Sequence, residues 1–351
     1  LKTWKLGDII HSTPAVVGNE SINNFHLRYS DSTYYDYINS VSYKNRASRI
    51  IVGANDGMLH FFRLGYIKDQ SSTDPDNPSV LQNSPNNTGT DLIANEEFAF
   101  IPKNAIPYLL WYGHKDYCHI PTVDSRVLIF DASINGNPTD DKTSNSWRTI
   151  LVGVMGFGGK SLSAGNTYSS SIFALDLTDW LNGTATTPIL LWEQTLPDNT
   201  LTMSFPSVIR RGDANKNGTW YLVIGSGPKV PNPSSNNDYT SSPKVYFFNL
   251  KTGSLVKTTQ ISLPNNTVAA VADTFPIDAN DDYNDDAIYF GLYGLQKQGN
   301  SWNNWGNFYR LVLNDSLSNT PSVAVDLSSF ANNGQIPPVT AAPTFSKDEN
   351  G

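Results

Sequence analysis

The sequence predicts an all-β protein. Three observations carry that reading: helical periodicity is scarce, short runs rich in Val, Ile, Phe and Tyr recur along the whole length, and Gly, Pro, Asn and Asp punctuate them. In chain order, strands are predicted at Arg49–Gly53, Leu59–Leu64, Glu97–Pro102, Arg126–Asp131, Thr149–Val154 and Ile172–Leu177. They continue at Ile189–Gln194, Tyr221–Gly225, Lys244–Leu250, Ala287–Leu292 and Phe308–Leu313. The single predicted helix is short, Leu177–Asn182, following a strand.

These strands fall into a repeat. Ser12-Thr13-Pro14-Ala15-Val16 leads, after an insertion, to a strand ending at Gly53, the turn Asn55-Asp56-Gly57 and a second strand from Leu59. Ser204-Phe205-Pro206-Ser207-Val208 leads likewise to a strand ending at Gly225, then to Val245–Leu250 and Lys251-Thr252-Gly253. Ile150–Gly153 with Ile172–Leu177, and Phe275-Pro276 through Phe308–Leu313, give further copies. Units of short strands at a fixed repeat are what radial β-propellers use to avoid exposed sheet edges. Four to five blades are countable in a single domain spanning 1–351, with long polar loops at Asn19–Ser48, Asp69–Asn95, Asn135–Ser146 and Val230–Ser242. The phrase Val339-Thr340-Ala341-Ala342-Pro343-Thr344-Phe345 opens one more copy that the chain does not complete, so the expectation is a piece cut within a late blade.

Composition narrows the function classes. Of 351 residues 39% are hydrophobic and 12% aromatic, ample for a large core, while the net charge is −8. An acidic surface repels phosphate backbones and anionic headgroups, which excludes nucleic-acid partners. No apolar run is long enough for direct membrane insertion. Cys118 is the single cysteine, so no disulfide, paired-thiol metal site or haem attachment can form within the chain. The chain starts at Leu1 without a signal-peptide pattern, as an excised piece would.

The strongest chemical signal is Asp278-Ala279-Asn280-Asp281-Asp282-Tyr283-Asn284-Asp285-Asp286, with five carboxylates in nine residues. Such crowding is unfavourable unless a cation sits among the charges. Asp278, Asn280, Asp282, Asn284 and Asp286 alternate as loop positions 1, 3, 5, 7 and 9, which converge oxygen ligands on a hard cation: side chains at 1, 3, 5 and 9 and a backbone carbonyl at 7. An all-oxygen set selects Ca²⁺ over zinc or copper. Two positions depart from an EF-hand, Tyr283 in place of Gly at 6 and Tyr289 in place of Glu at 12, and the flanks are strands.

Other motifs read blandly. Asp213-Ala214-Asn215-Lys216-Asn217-Gly218 has an internal lysine and suits a hairpin turn, and Arg211-Gly212-Asp213 matches the integrin tripeptide at the level of chance. Gly153 stands one residue too early for Gly-x-x-x-x-Gly-Lys-Ser at Lys160-Ser161, so the local glycines are expected to permit close approach of neighbouring strands. The five histidines form no zinc pattern, and His11 and His60 are expected to be buried and hydrogen-bonded. No Gly-x-Ser-x-Gly anchors a hydrolase triad.

Several phrases together resemble a known family. Trp4-Lys5-Leu6-Gly7-Asp8-Ile9-Ile10-His11-Ser12-Thr13-Pro14 is similar to the opening of the C-terminal propeller of the PilY/PilC proteins of type IV pilus tips. So are Val52-Gly53-Ala54-Asn55-Asp56-Gly57-Met58-Leu59-His60, Glu97-Phe98-Ala99-Phe100-Ile101-Pro102, Trp147–Gly153 with Gly158-Gly159-Lys160, and Phe173-Ala174-Leu175-Asp176, all in the family's order. The resemblance implies a modified, roughly seven-bladed propeller with a Ca²⁺ loop in a late blade, onto which Asp278, Asn280, Asp282, Asn284 and Asp286 map. It further implies export through the periplasm of a Gram-negative bacterium to the pilus tip or outer surface. Minor pilins or the tip complex are the implied partners, with a host-cell or surface receptor for adhesion, and Ca²⁺ occupancy tied to pilus extension, retraction and twitching.

The reading is therefore a non-enzymatic binding and assembly factor. A quinoprotein-like dehydrogenase propeller is one alternative, opposed by the missing adjacent cysteines. A carbohydrate-binding propeller is another, with Tyr108–Tyr117 as its aromatic loop.

Overall fold

The computed structural model describes residues 6–69, 73–76, 79–82, 93–162, 168–229 and 242–344. Trp4 and Lys5 of the opening phrase, Phe345 of the last one, and most of the loops at 69–95 and 230–242 lie outside the described residues. The chain divides into two compact units, Leu1–Thr195 with Asn215–Asn217, and Leu196–Ala214 with Gly218–Gly351.

The described residues form four antiparallel sheets, two in each unit. The first runs β1 (Ala15–Val17), β2 (Ser48–Gly53), β3 (Leu59–Asp69) and β4 (Ser79–Gln82), with β5 (Glu96–Phe100) also pairing with β3. The second is a meander of β6 (Leu128–Ala132), β7 (Arg148–Val154), β8 (Ser171–Asp176) and β9 (Ile189–Thr195). In the other unit β10 (Ser207–Arg211), β11 (Thr219–Gly225), β12 (Lys244–Asn249) and β13 (Leu255–Gln260) form the third. β14 (Thr267–Ile277), β15 (Ala287–Gln298), β16 (Ser301–Val312) and β17 (Ser322–Val325) form the fourth. Four strands joined in sequence order are the blade unit that the repeat predicts.

All eleven predicted strands are present, with ends shifted by a few residues or, for β3, β15 and β16, extended outward. The inner strands are legible because both of their faces are covered: β8 is buried at every position, with Phe173 and Leu175 in the core beside Leu59, Phe61 and Leu151. In the second unit Val223, Phe247, Val271, Phe290 and Trp305 play the same part. Outer strands carry no such signal. β13 is Leu-Val-Lys-Thr-Thr-Gln and mostly exposed, and β17 is exposed throughout.

The expectation of one helix and a bare loop at 19–48 is corrected. The predicted Leu177–Asn182 helix is found as Thr178–Leu181, but Phe25–Arg28 (α1), Ser32–Ile38 (α2) and Val41–Lys44 (α3) are also helical, as is Ile106–Leu109 (α4). Helices this short show no periodicity in sequence and depend on caps and packing. The Asp31 carboxylate accepts the N–H groups of Thr33 (2.9 Å) and Tyr34 (3.1 Å), and Ser40 Oγ accepts that of Tyr43 (3.3 Å). Their inward face is built from Tyr34, Tyr37 and Tyr43 around a buried guanidinium. Arg46 donates to Asn182 Oδ1 (2.7 Å), Thr149 Oγ1 (3.0 Å) and the Tyr37 hydroxyl (3.0 Å), with Tyr43 stacked on it at 3.9 Å. Thr149 in turn donates to Asp131 (2.6 Å), and so does Tyr34 (2.7 Å). The insertion is thus bolted to β6 and β7 by charge as well as by rings. A second pair, Lys142 with Asp31, ties the 135–146 segment to the cap of α2, both side chains being 4% exposed.

A glycine device recurs at the blade ends. A Cβ on Gly53 would collide with Val123, one on Gly225 with Val271, and one on Gly291 with Val339. In each case a valine that follows in the chain closes over the glycine of a second strand. The final Val339 phrase is seated this way, its N–H donating to Leu292 O at 3.2 Å. Gly225→Ala is therefore expected to destabilise the chain by about 1–3 kcal/mol through overpacking, measured by urea denaturation, whereas Gly183→Ala, with open space around it, should show only the smaller effect of its positive φ.

Candidate functional site

The acidic run 278–286 is the turn between β14 and β15. The pair Ile277 and Ala287 closes the ladder beneath it, and the Asp286 N–H donates to Ile277 O at 2.6 Å. Within the turn, backbone N–H groups point inward to the carboxylates. Asp278, 2% exposed, accepts from the N–H of Asp282 (3.2 Å) through Oδ1 and from that of Tyr283 (2.9 Å) through Oδ2. Asn280 Oδ1 accepts the same Asp282 N–H (3.2 Å), so the first and third positions converge. Asp282 accepts from the Asn284 N–H (2.8 Å) and the Asn280 amide (3.1 Å), and Asp286 Oδ2 accepts from the Ala279 N–H (2.8 Å).

Two residues carry the bend in the left-handed region, Asp281 at φ 57° and Tyr283 at φ 74°. The second is the sixth position, where an EF-hand places glycine for this same backbone conformation. A tyrosine there stores strain of about 1–3 kcal/mol and needs outside support. The support comes from Arg210 at the end of β10, which sequence spacing gives no means of finding. Its guanidinium lies 4.9 Å from the Tyr283 ring centroid, and Nη1 donates to Tyr283 O at 3.4 Å. The Arg210 N–H donates to Asp285 Oδ2 (2.9 Å), Arg211 Nη1 to Asp285 O (2.9 Å), and the Gly212 N–H to Asn284 Oδ1 (2.7 Å). The turn is clamped from the side, with Asn284 held by its side-chain oxygen.

The donor set is all oxygen: Asp278, Asn280, Asp282 and Asp286 side chains with the Asn284 carbonyl. That chemistry suits a hard divalent cation, and the 278 and 280 side-chain oxygens converge on one N–H. Among the described residues no group of three His, Cys, Asp or Glu side chains is already gathered in metal-holding geometry. The carboxylates of Asp278, Asp282 and Asp286 accept loop N–H groups.

The remaining motifs resolve simply. Arg211 of Arg211-Gly212-Asp213 is only 18% exposed and pairs with Asp315 at 2.7 Å, so the tripeptide offers no projecting arginine. Lys216 of the 213–218 turn reaches outside it to pair with Asp141 of the 135–146 segment at 2.7 Å. Glycines 158 and 159 admit the backbones of Thr122 and Ser169, as close approach requires. His11 is bonded to Asp124 at 2.7 Å but its side chain is 55% exposed, correcting the expectation of burial; it precedes β1 and covers the buried Asp124 from outside.

The family model for the PilY1 beta-propeller domain matches residues 6–325. The chain belongs to that family. It is 28% identical over 313 residues to the type IV pilus biogenesis factor PilY1 homolog of Xylella fastidiosa, covering 86% of this chain and 20% of that protein. With the type IV pilus biogenesis factor PilY1 of Pseudomonas aeruginosa strain PAO1 it shares 29% identity over 303 residues, 85% of this chain and 20% of that protein. The chain therefore spans about a fifth of the length of these curated relatives. The crystal structure of the P. aeruginosa PilY1 C-terminal domain superposes with a TM-score of 0.56 at 23% identity, covering 96% of this chain and 57% of that one, which bears out the propeller fold.

Within this PilY1-family propeller the Asn55-Asp56-Gly57 turn has a structural partner in His60, which is fully buried. Nδ1 meets Glu96 at 2.6 Å and Nε2 meets Asp56 at 3.1 Å, while Asp56 also accepts the Gly7 N–H at 3.0 Å. Burial lowers the imidazole pKa, but the bonds to Asp56 and Glu96 outweigh it and leave it above 6.5. Burial raises that of Asp56, and His60 with the Gly7 and Met58 N–H groups brings it below 3.8. The folded state binds the His60 proton more tightly than the unfolded one, so its stabilisation is complete below pH 6.5 and is lost as pH rises through the folded value. The Asp56 contribution is present above 3.8 and lost in acid. The melting temperature of the parent should thus fall, relative to His60→Gln, on going from pH 6.5 to 9; a pH-independent difference would rule out the charged His60.

Proposed function

We propose that this chain is a calcium-binding propeller domain of a type IV pilus tip-associated protein, acting in pilus biogenesis through control of extension and retraction, and in surface adhesion and twitching motility. The observation that carries the reading is the β14–β15 turn, in which the Asp278 and Asn280 oxygens meet on the Asp282 N–H and the sixth residue is left-handed beside the Arg210 guanidinium. Bound Ca²⁺ would supply positive charge among the carboxylates. Asp278, Asn280, Asp282, the Asn284 carbonyl and Asp286 would hold it. The chain's own contribution is the clamp: Arg210, Arg211 and Gly212 carry the order of the turn onto β10 and the edge of the neighbouring sheet.

A docking surface at that edge, for minor pilins or the tip complex, would then follow occupancy, since a ligand shifts an equilibrium by its preference for one state. The names of the relatives support the pilus setting, and export through the periplasm to the tip or outer surface is part of the same proposal. A receptor on a host cell or surface would be met by loops outside this turn. No observation favours an enzyme. Isothermal titration of the chain with CaCl₂ tests the reading: saturable binding at submillimolar concentration is expected, and heats no different from dilution up to several millimolar would end it.

A further inference from the structure

A hollow of about 360 Å³ lies between β16 and the segment that follows β17. Four amide residues line it, Asn304, Asn332, Asn333 and Gln335, with Phe330 and the Pro337-Pro338 pair beside them. The volume falls in the range of roughly 300–1,000 Å³ typical of small-molecule sites. Backbone bonds hold the walls in place. The N–H groups of Asn332 and Gln335 donate to one another's carbonyl oxygens at 2.9 and 3.0 Å around a two-residue turn. Asn333 at φ 51° and Gly334 at φ 75° supply the two left-handed positions that such a turn requires. The Ile336 N–H donates to Asn304 O at 2.9 Å, which fixes this hairpin to β16.

Three features define what would fit. No charged residue lines the hollow, so neither an anion nor a cation finds a counter-charge in its walls. The amides offer donors and acceptors together: Asn304 Nδ2 donates to Gln335 Oε1 at 3.0 Å, which leaves the Asn304 oxygen to accept and the Gln335 amide N–H to donate. A hydroxyl is likewise donor and acceptor at once, so neighbouring hydroxyls of one ligand match this pair. An apolar guest would strip water from the amides and replace none of its bonds. Last, two aromatic rings are left open: Phe330, lining the hollow, is 64% exposed, and Trp302 is 49% exposed. Trp302 stands two residues before Asn304 on β16 and so on the same face of the strand. Flat apolar rings beside amides suit the C–H face of a pyranose.

We infer that this hollow binds a neutral saccharide, a pyranose whose C–H face covers Phe330 and whose hydroxyls bond to Asn304, Asn332 and Gln335, with Trp302 open to the next sugar. The site uses none of the aromatic residues at 108–117. It rests on neither the calcium reading nor the pilus setting, because none of its residues belongs to the acidic turn.

The probes are the neutral tetrasaccharides of glucose, galactose, mannose and N-acetylglucosamine, titrated calorimetrically into the whole chain. Sialyllactose and a sulfated galactose tetrasaccharide serve as acidic counterparts, and a neutral glycine-serine decapeptide as a peptide arm. Saturable binding of at least one neutral tetrasaccharide at millimolar concentration or below is expected, with the acidic sugars no tighter. Phe330→Ala should weaken it about tenfold and Asn304→Ala about three- to tenfold. Both variants should melt near the parent temperature, because both residues are exposed. No saturable binding of any neutral tetrasaccharide overturns the inference. So does an affinity unchanged by Phe330→Ala and Asn304→Ala, which would mean the sugar binds elsewhere. Binding of the decapeptide alone overturns it too, since the amides would then be reading a peptide backbone.

Discussion

Millimolar Ca²⁺ is expected to raise the melting temperature of the parent chain, and replacing Asp282 by alanine to remove that rise. A ligand that binds only the folded state stabilises it by about 2.7 kcal/mol at a hundredfold excess over Kd, so the parent should gain several degrees. Asp282 is the fit residue to change because its own hydrogen bonds are local and exposed, from the Asn284 N–H and the Asn280 amide. Without Ca²⁺ the variant should stay within about 1 kcal/mol of the parent, since one repelling charge is lost along with those bonds. Asp278 would be a poor choice, because its buried carboxylate caps the turn and its loss would confuse folding with binding. If parent and Asp282→Ala respond equally to the ion, the turn is a structural bend and nothing more.

Arg46→Met is expected to be the most damaging single change in the first unit. Its guanidinium is 1% exposed and faces the fully buried Asp131 through Thr149. Removing one member of such an arrangement leaves an uncompensated charge and costs about 3–5 kcal/mol, which urea denaturation can read. Burial already pushes the Asp131 pKa above 3.8 against the opposing pull of its Thr149 and Tyr34 hydrogen bonds and of Arg46. With Arg46 gone the carboxyl should rise further. The folded state would then hold its proton more tightly than the unfolded one, so stability should fall as pH rises from 3.8 through the folded value. Adding Asp131→Asn should recover part of the loss and flatten that pH dependence. A single variant as stable as the parent would mean that Arg46 contributes no net charge compensation.

Much of the blade pattern is readable in the order of residues because the central strands are covered on both faces. Ile172–Leu175 and Tyr221–Ile224 are continuous apolar runs, and a short run of that kind bounded by turn residues has few other homes. The outer strands are not readable in this way. Leu255–Gln260 and Ser322–Val325 pair through the backbone ladder with mostly exposed side chains, which many sequences permit. The helices over residues 25–44 escape sequence reasoning for a related cause: their stability comes from burying Tyr34, Tyr37 and Tyr43 against Asp131 and Arg46, residues distributed over nearly a hundred positions.

For the acidic turn, the amino-acid order alone determined its chemistry: which oxygens are available, at what spacing, and therefore which kind of cation they suit. Only the tertiary structure decided how that turn is held. Arg210 and Gly212 lie more than sixty residues away in sequence, and no local rule assigns a tyrosine to a left-handed bend. Chemical identity is local and survives in the order of residues, whereas support for a strained backbone is a contact between distant segments that exists only once the sheets have closed.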